Sequence, residues 1–266
     1  MGELITSRKN PLAQRARSVR DGRERESVFV EGLRLCEEAL RANVGFDFAL
    51  HTRPLEETAR GSRLLARLRE VCPRVVAVSD AVLESVSDTK TPQGVVAVVR
   101  RPQSGPEILE RITSTPLVVI LHGANNPSNA GAALRVAEAA GATGLIITKG
   151  SVDLFSPKSL RGSMGSAFRL PVWAGASFED ALRWCDERRI RTVATDASAR
   201  AGHTEIDWKT PRAVVLGPEA GGLTGGEVRA CAESLRVPMR EPVESLNLTT
   251  ALAVVLYEAA RQRGFD

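Results

Sequence analysis

Three runs of this chain gather polar side chains and glycines where strands give way to loops. They are Asn126-Pro-Ser-Asn-Ala-Gly-Ala-Ala-Leu-Arg135, Leu216-Gly-Pro-Glu-Ala-Gly-Gly-Leu223 and Val237-Pro-Met-Arg-Glu-Pro-Val-Glu-Ser-Leu-Asn-Leu-Thr-Thr250. The first opens a helix behind an apolar strand, so its polar groups collect at the strand's carboxyl end, where open α/β sheets bind ligands and a helix N-terminus favours anions. Asn129 and Arg135 are six residues apart and offset on that helix, and neither suits an apolar core face. On its own Arg135 reads as a surface cation of the kind that pairs with a carboxylate and does little else. In the second run Gly217, Gly221 and Gly222 allow backbone to approach a ligand, or simply make a turn, and Glu219 among them needs a partner if it is buried. In the third, Ser245 and Asn247 stand where a helix begins and read first as caps. Together the residues describe a polar, glycine-rich site built from three strand ends, without naming a substrate.

Neither the G-x-G-x-x-G order nor a Walker loop is present, so neither a dinucleotide nor a nucleoside triphosphate is indicated. The four cysteines, Cys36, Cys72, Cys185 and Cys231, are far apart and form no C-x-x-C pair, which suggests buried reduced thiols. His51, His122 and His203 lack metal-ligand spacing, so no metal site is expected. The start has no signal-like apolar run and no stretch suits a membrane span, which places the protein in the cytoplasm, away from membranes. Net charge is +4, and residues 1–25 carry it, with seven bases against three acids; the rest balances, 29 against 29. Arg8, Lys9 and Arg15 in this arm are candidate phosphate contacts for an RNA, although a solvated helix face explains the same pattern.

Elements must hold these residues. Asn10 as N-cap with Pro11 behind it predicts a short basic helix to about Arg20. Strands are expected at Ser27–Val30, Phe46–Leu50, Arg74–Val78 and Gly94–Val99, and helices at Glu31–Asn43, Glu56–Val71 and, capped by Ser79, Ala81–Val86. This alternation describes a small α/β sandwich over residues 1–100. Pro102, Ser104, Gly105, Pro106 and Pro116 mark 101–116 as a linker. Beyond it, strands at Leu117–Leu121, Gly144–Thr148, Arg191–Thr195, Ala213–Leu216 and Leu235–Val237 alternate with helices at Ser128–Ala140, Phe178–Arg189, Glu227–Ala232 and Ser245–Arg263. A mostly parallel sheet covered on both faces is expected over 117–266.

The three runs, in this order and spacing, resemble the SpoU or TrmH-type branch of the SPOUT methyltransferases, which methylate ribose 2'-hydroxyls of tRNA or ribosomal RNA. The resemblance spans about residues 117–264, with Arg161-Gly-Ser-Met-Gly-Ser-Ala-Phe-Arg-Leu-Pro171 as a weaker fourth match. Phe29-Val-Glu-Gly-Leu33 and Thr91-Pro-Gln-Gly-Val95 resemble the ribosomal-protein-like substrate-binding domain of some members. The resemblance implies a C-terminal trefoil knot and S-adenosylmethionine held around Leu216, Gly217, Val237, Met239, Ser245, Leu246 and Asn247. It also implies catalysis through Arg135 with Asn129 and Glu219, a homodimer, and ribosomal RNA in preference to tRNA. Two positions depart from the family pattern: Asn126 where many members have Asp, and Glu241-Pro242 where many have Gly. A non-catalytic RNA-binding module of the same fold is the rival reading.

Overall fold

Short apolar runs bounded by glycine, proline or charged residues make strands here, because a strand buried on both faces needs no polar alternation. The computed structural model describes residues 4–111 and 114–264. The chain divides into two compact units: one runs to Pro102 and includes Phe155–Phe168, and the other holds Gln103–Leu154 and the chain from Arg169 onward.

In the first unit β1 (Leu4–Ile5), α1 (Pro11–Arg20), β2 (Ser27–Glu31), α2 (Leu33–Arg41), β3 (Phe46–His51), α3 (Arg53–Glu57), α4 (Ala59–Val71), β4 (Val75–Val78), α5 (Asp80–Val86) and β5 (Val95–Arg100) follow in turn. The sheet order is β1-β4-β3-β5-β2, with β5 antiparallel to both neighbours and the remaining pairs parallel. Asn10 caps α1 by accepting the Leu12 amide at 2.9 Å, with Pro11 in the first turn. Ala13, Ala16 and Val19 recur on one face of α1 and pack with Val82, Leu83 and Val86 of α5 over Phe29, Phe48, Leu50 and Val98. Because strand side chains alternate, the other sheet face is left for α2 and α4.

The second half contributes α6 (Pro106–Leu109), β6 (Leu117–Leu121), α7 (Pro127–Ala139), β7 (Gly144–Thr148), α8 (Pro157–Ser163, part of the first unit), β8 (Val172–Ala176), α9 (Phe178–Glu187), β9 (Arg191–Thr195), β10 (Arg212–Leu216), α10 (Gly225–Ala230), β11 (Glu233–Leu235) and α11 (Leu248–Arg263). The sheet runs β11-β9-β10-β6-β7-β8 with every pair parallel. Phe178, Ala181, Trp184 and Cys185 of α9 cover one face through Val118, Ile120, Ile146, Ala213 and Val215. Elsewhere in this unit α7 lies against α11, where buried Ala130, Ala133 and Ala137 keep the α7 surface low enough for Leu252, Val255 and Leu256 to pack closely. The expected α/β architecture with its parallel sheet is therefore present. From β6 the chain steps to β7 and β8 on one side, then returns to build β9, β10 and β11 on the other. The reversal makes β6 and β10 neighbours and opens a crevice at their carboxyl ends.

Several details differ from the sequence expectation. The helix expected over 56–71 is two helices, broken at Thr58, whose hydroxyl accepts the Gly61 amide at 3.0 Å and starts α4. The last helix begins at Leu248 rather than Ser245, because Asn247 is the residue that caps it. Ser79 stands at the N-cap of α5 but makes no side-chain capping bond. α8 and β8 were not expected, and Phe155–Phe168, assigned by sequence to the second half, groups with the first unit, where Arg161 pairs with Asp88 at 2.7 Å. Within the stretch read as a linker, Leu109 is buried in the core of the second unit and the Gly105 amide donates to Val172 O. Ile112 and Thr113 of that stretch, the first three residues and the last two lie outside the described residues.

One side chain closes the end of α11. Arg263 donates to the carbonyls of Trp208 (2.6 Å), Thr115 (2.8 Å), Pro116 (2.9 Å) and Thr210 (3.0 Å). Burial pushes its guanidinium below the ordinary value, against the pull of Asp207. Arg263→Ala leaves these carbonyls without their charged donor and is expected to cost about 2–3 kcal/mol in denaturant unfolding. A loss under about 0.5 kcal/mol would show that water replaces the guanidinium freely.

Candidate active site

The loop after β10 is shaped by Gly217. A Cβ there would lie 2.4 Å from the Leu223 amide nitrogen and 2.5 Å from the Gly222 carbonyl carbon, so the loop closes on itself only because no side chain is present. Gly222 supports the turn with φ +65° and an amide bond to Pro218 O at 3.1 Å. Beside this loop opens a cleft of about 340 Å³, within the size range of small-molecule sites. Leu216, Gly217, Val237, Met239, Ser245 and Leu246 all line it. Asn247 does not, and is engaged at the head of α11 instead. The cleft also has a wall that sequence reasoning missed, Thr195, Asp196 and Ala197 at the end of β9, together with Arg236 and Glu244. The signal that could have found Asp196 was its place at a strand's carboxyl end, shared with the residues that were named.

Next to the cleft the three motif runs meet through side chains. Asn129 Nδ2 donates to Glu219 Oε1 at 3.3 Å, and the Asn125 amide donates to Glu219 Oε2 at 3.4 Å. Asn247 Nδ2 donates to Asn129 Oδ1 at 3.4 Å, and Thr249 Oγ1 donates to the Asn129 carbonyl at 3.2 Å. Asn126 caps α7 by accepting the Ser128 amide at 2.9 Å, and Asn247 caps α11 by accepting the Thr249 amide at 2.9 Å. The capping reading was thus correct for Asn247, while its amide nitrogen remains available to Asn129. The three bonds that tie Glu219 to Asn125 and Asn129 and Asn247 to Asn129 are long and exposed, so they orient groups more than they stabilise the fold.

Arg135 is not part of this network. It is exposed on α7, about 9 Å further along the axis and on a different side from Asn129. Among the described residues it has no ion pair, so the surface salt bridge its sequence suggested is not made. Below the site, His122 ties the sheet to α10: its ring nitrogens lie 3.0 Å from Thr148 Oγ1 and 3.0 Å from Glu227 Oε1. Burial works against the charged form of Glu227, but hydrogen bonds from Thr224 and His122 hold its carboxyl below the usual range. Burial pushes the Cys185 thiol up to about 12, which makes it an inert core residue.

In the first unit the basic arm is largely tied down. Arg15 bonds Asp47 at 2.6 Å and Glu24 at 3.1 Å, and its guanidinium lies 5.6 Å from the Phe48 ring centroid. Arg20 donates to the carbonyls of Ser85, Val86 and Ser87. The Arg8 side chain donates to Ala81 O at 3.1 Å, and Arg8, like Lys9, is exposed. Among the described residues no cluster of three His, Cys, Asp or Glu could hold a metal, and no helix is long and apolar enough to cross a membrane.

The profile of the SpoU rRNA methylase family matches residues 116–257, and that of an MRM3-like substrate binding domain matches residues 10–97. An uncharacterized tRNA/rRNA methyltransferase of Synechocystis sp. is 33% identical over 264 residues, 97% of this chain and 94% of that protein. A 23S rRNA (guanosine-2'-O-)-methyltransferase of Burkholderia sp. is 31% identical over 213 residues, 79% of this chain and 86% of that protein. Among solved structures, the SpoU methyltransferase AviRb from Streptomyces viridochromogenes in complex with the cofactor AdoMet superposes with a TM-score of 0.87 at 28% identity, over 96% of this chain and 98% of that one.

Proposed function

The chain belongs to the SpoU rRNA methylase family, and we propose that it methylates a ribose 2'-hydroxyl of ribosomal RNA with S-adenosylmethionine as donor. The observation that carries this reading is the convergence of all three motif runs on one cleft and its polar rim. The cleft fits a nucleoside: it is lined by the Gly217 backbone and by Leu216, Val237, Met239 and Leu246, which suit the flat apolar faces of a base. Bound there, S-adenosylmethionine supplies an electrophilic methyl group on a sulfonium. The chain's own task is to align a ribose oxygen with it, a matter of positioning that needs no covalent intermediate. Glu219, Asn129 and Asn247 form a rim whose amides and carboxylate are already oriented. Since a guanidinium stays protonated in proteins, Arg135 acts as an electrostatic clamp on a phosphate and on the alkoxide that develops, and not as the base.

Arg135 stands apart from the rim of its own chain, so the proposal includes a homodimer in which a second copy presents Arg135 to each cleft. The outward residues Ala253, Val254 and Tyr257 of α11 support it, with Tyr257 47% exposed on an apolar face. A trefoil knot through the loops 217–223 and 237–246 is part of the same reading, supported by both loops lining one cleft. Residues 1–100 are proposed to hold the RNA, with Arg8 and Lys9 as phosphate contacts and Arg15 serving mainly its own carboxylates, and residues 117–266 to transfer the methyl group. The cytoplasm is the proposed compartment, in keeping with the four free cysteines.

The test is methyl transfer from a labelled donor to 23S rRNA transcripts and, in parallel, to tRNA. Label in the ribosomal transcript at a linkage that resists alkali is expected, because 2'-O-methylation removes the internal nucleophile. Label confined to tRNA would overturn the substrate assignment, and none in either would favour a binding module.

A further inference from the structure

One carboxylate of the cleft, Asp196, stands outside the network that joins the motif runs. It follows the last residue of β9, the strand beside β10, and lines the same cleft as Gly217. Its position is set twice over. The Asp196 amide donates to Leu235 O at 2.9 Å, which anchors it to β11. Its carboxylate accepts the Ser198 amide at 2.9 Å and the Ser198 hydroxyl at 2.8 and 2.9 Å, which fixes the side chain in an Asx turn. A carboxylate offers about four acceptor positions, so Ser198 leaves roughly half of them open. No cation pairs with it among the described residues.

The other polar groups of the cleft are differently disposed. Glu219 is engaged by Asn129 and the Asn125 amide, Thr195 Oγ1 donates to Val215 O at 3.0 Å, and Glu244 sits on the exposed loop before α11. Asp196 is thus the one partly buried carboxylate of the cleft with oriented, open acceptors and no partner from a neighbouring motif. The ligand chemistry that matches a carboxylate of this kind is a vicinal diol, whose two O–H donors meet two oxygens; an acid at a strand end beside a glycine loop performs this task in other α/β nucleotide sites.

We propose that Asp196 positions the methyl donor by accepting hydrogen bonds from the ribose hydroxyls of its adenosine. The proposal rests on the cleft being the donor site. It makes Asp196 a positioning residue, acting equally on donor and demethylated product because both carry the same sugar.

Calorimetric titration of the whole protein with S-adenosylmethionine, with S-adenosylhomocysteine and with the 2',3'-dideoxy analogue of the latter tests it. Asp196→Asn keeps an oxygen for Ser198 and should keep the fold, which circular dichroism and the unfolding midpoint verify. It is expected to weaken both natural ligands by a similar factor, about 10- to 100-fold, the loss of a charge-assisted hydrogen bond. The dideoxy analogue should bind wild type weakly by about the same factor and should lose little more in Asp196→Asn, since the interaction can be removed only once. Losses that simply add, or a folded variant with wild-type affinity, would overturn the role of Asp196. Wild-type protein that binds neither natural ligand would instead remove the reading of the cleft itself.

Discussion

Arg135→Ala is expected to lower methyl transfer by roughly 10³-fold while leaving the donor's dissociation constant within about twofold of wild type, the size of effect seen when one charged stabiliser of a developing oxyanion is removed. The separation of effects follows from where the residue stands. Arg135 is exposed and is not among the residues that line the cleft, so donor binding has no reason to change. It is exposed and unpaired among the described residues, so its removal should not lower stability by more than a few tenths of a kcal/mol. A free guanidinium on a helix that also carries Asn129 is available to an anionic substrate in a way that Arg15, held by Asp47 and Glu24, is not. Loss of donor binding in Arg135→Ala would show that the residue shapes the cleft instead. The same variant tests the shared site. When Arg135→Ala chains are mixed with chains whose own cleft is blocked, a dimer that pairs one chain's arginine with the other's cleft regains one working site. Recovery toward a quarter of wild-type activity after random reassortment is the expected outcome, and no recovery would place each arginine with its own cleft.

The parallel sheet was legible because its strands are unbroken apolar runs: Leu117-Val-Val-Ile-Leu121 and Gly144-Leu-Ile-Ile-Thr148 need no long-range information to be recognised. The strand Val172–Ala176 was not, since Val-Trp-Ala-Gly-Ala carries neither alternation nor a β-branched run, and its pairing with β7 shifts register before Thr148. Caps were readable where a single side chain decides them, as at Asn10 and Asn247, and unreadable where backbone alone suffices, as at Ser79. Of the site, the glycine loop and the two motif runs around it could be named because each is local. What the chain order hides is adjacency. Asp196 and Gly217 become neighbours because β10 enters the sheet between β9 and β6, and Glu219 meets Asn129 across 90 residues of sequence. The fate of Arg15 was hidden for the same reason, because its strongest partner, Asp47, is 32 residues away.

Gly217→Ala is expected to weaken donor binding by about 100-fold or more, although it adds one methyl group. In most loops that substitution is mild and often stabilising, because it restricts the unfolded chain. Here the new carbon would stand 2.4 Å from the Leu223 nitrogen and 2.5 Å from the Gly222 carbonyl carbon, and both obstacles are backbone, which cannot turn aside as a flexible side chain would. The loop must open, and in opening it moves Leu216 and Pro218, which line the cleft on either side of the glycine. Gly225→Ala is the control in the same stretch of chain. Its added carbon would meet only the end of the Arg229 side chain at 3.3 Å, so near wild-type affinity is expected. The variant could lose binding by unfolding, so a second change carries the argument independently. Leu246 lines the cleft at 37% exposure, and Leu246→Asp places a charge against an apolar ligand face without disturbing a core residue. If folded Gly217→Ala and Leu246→Asp both bind S-adenosylmethionine as wild type does, the donor occupies some other part of the chain; if both lose it while Gly225→Ala does not, the loop after β10 and the loop before α11 are two walls of one donor pocket.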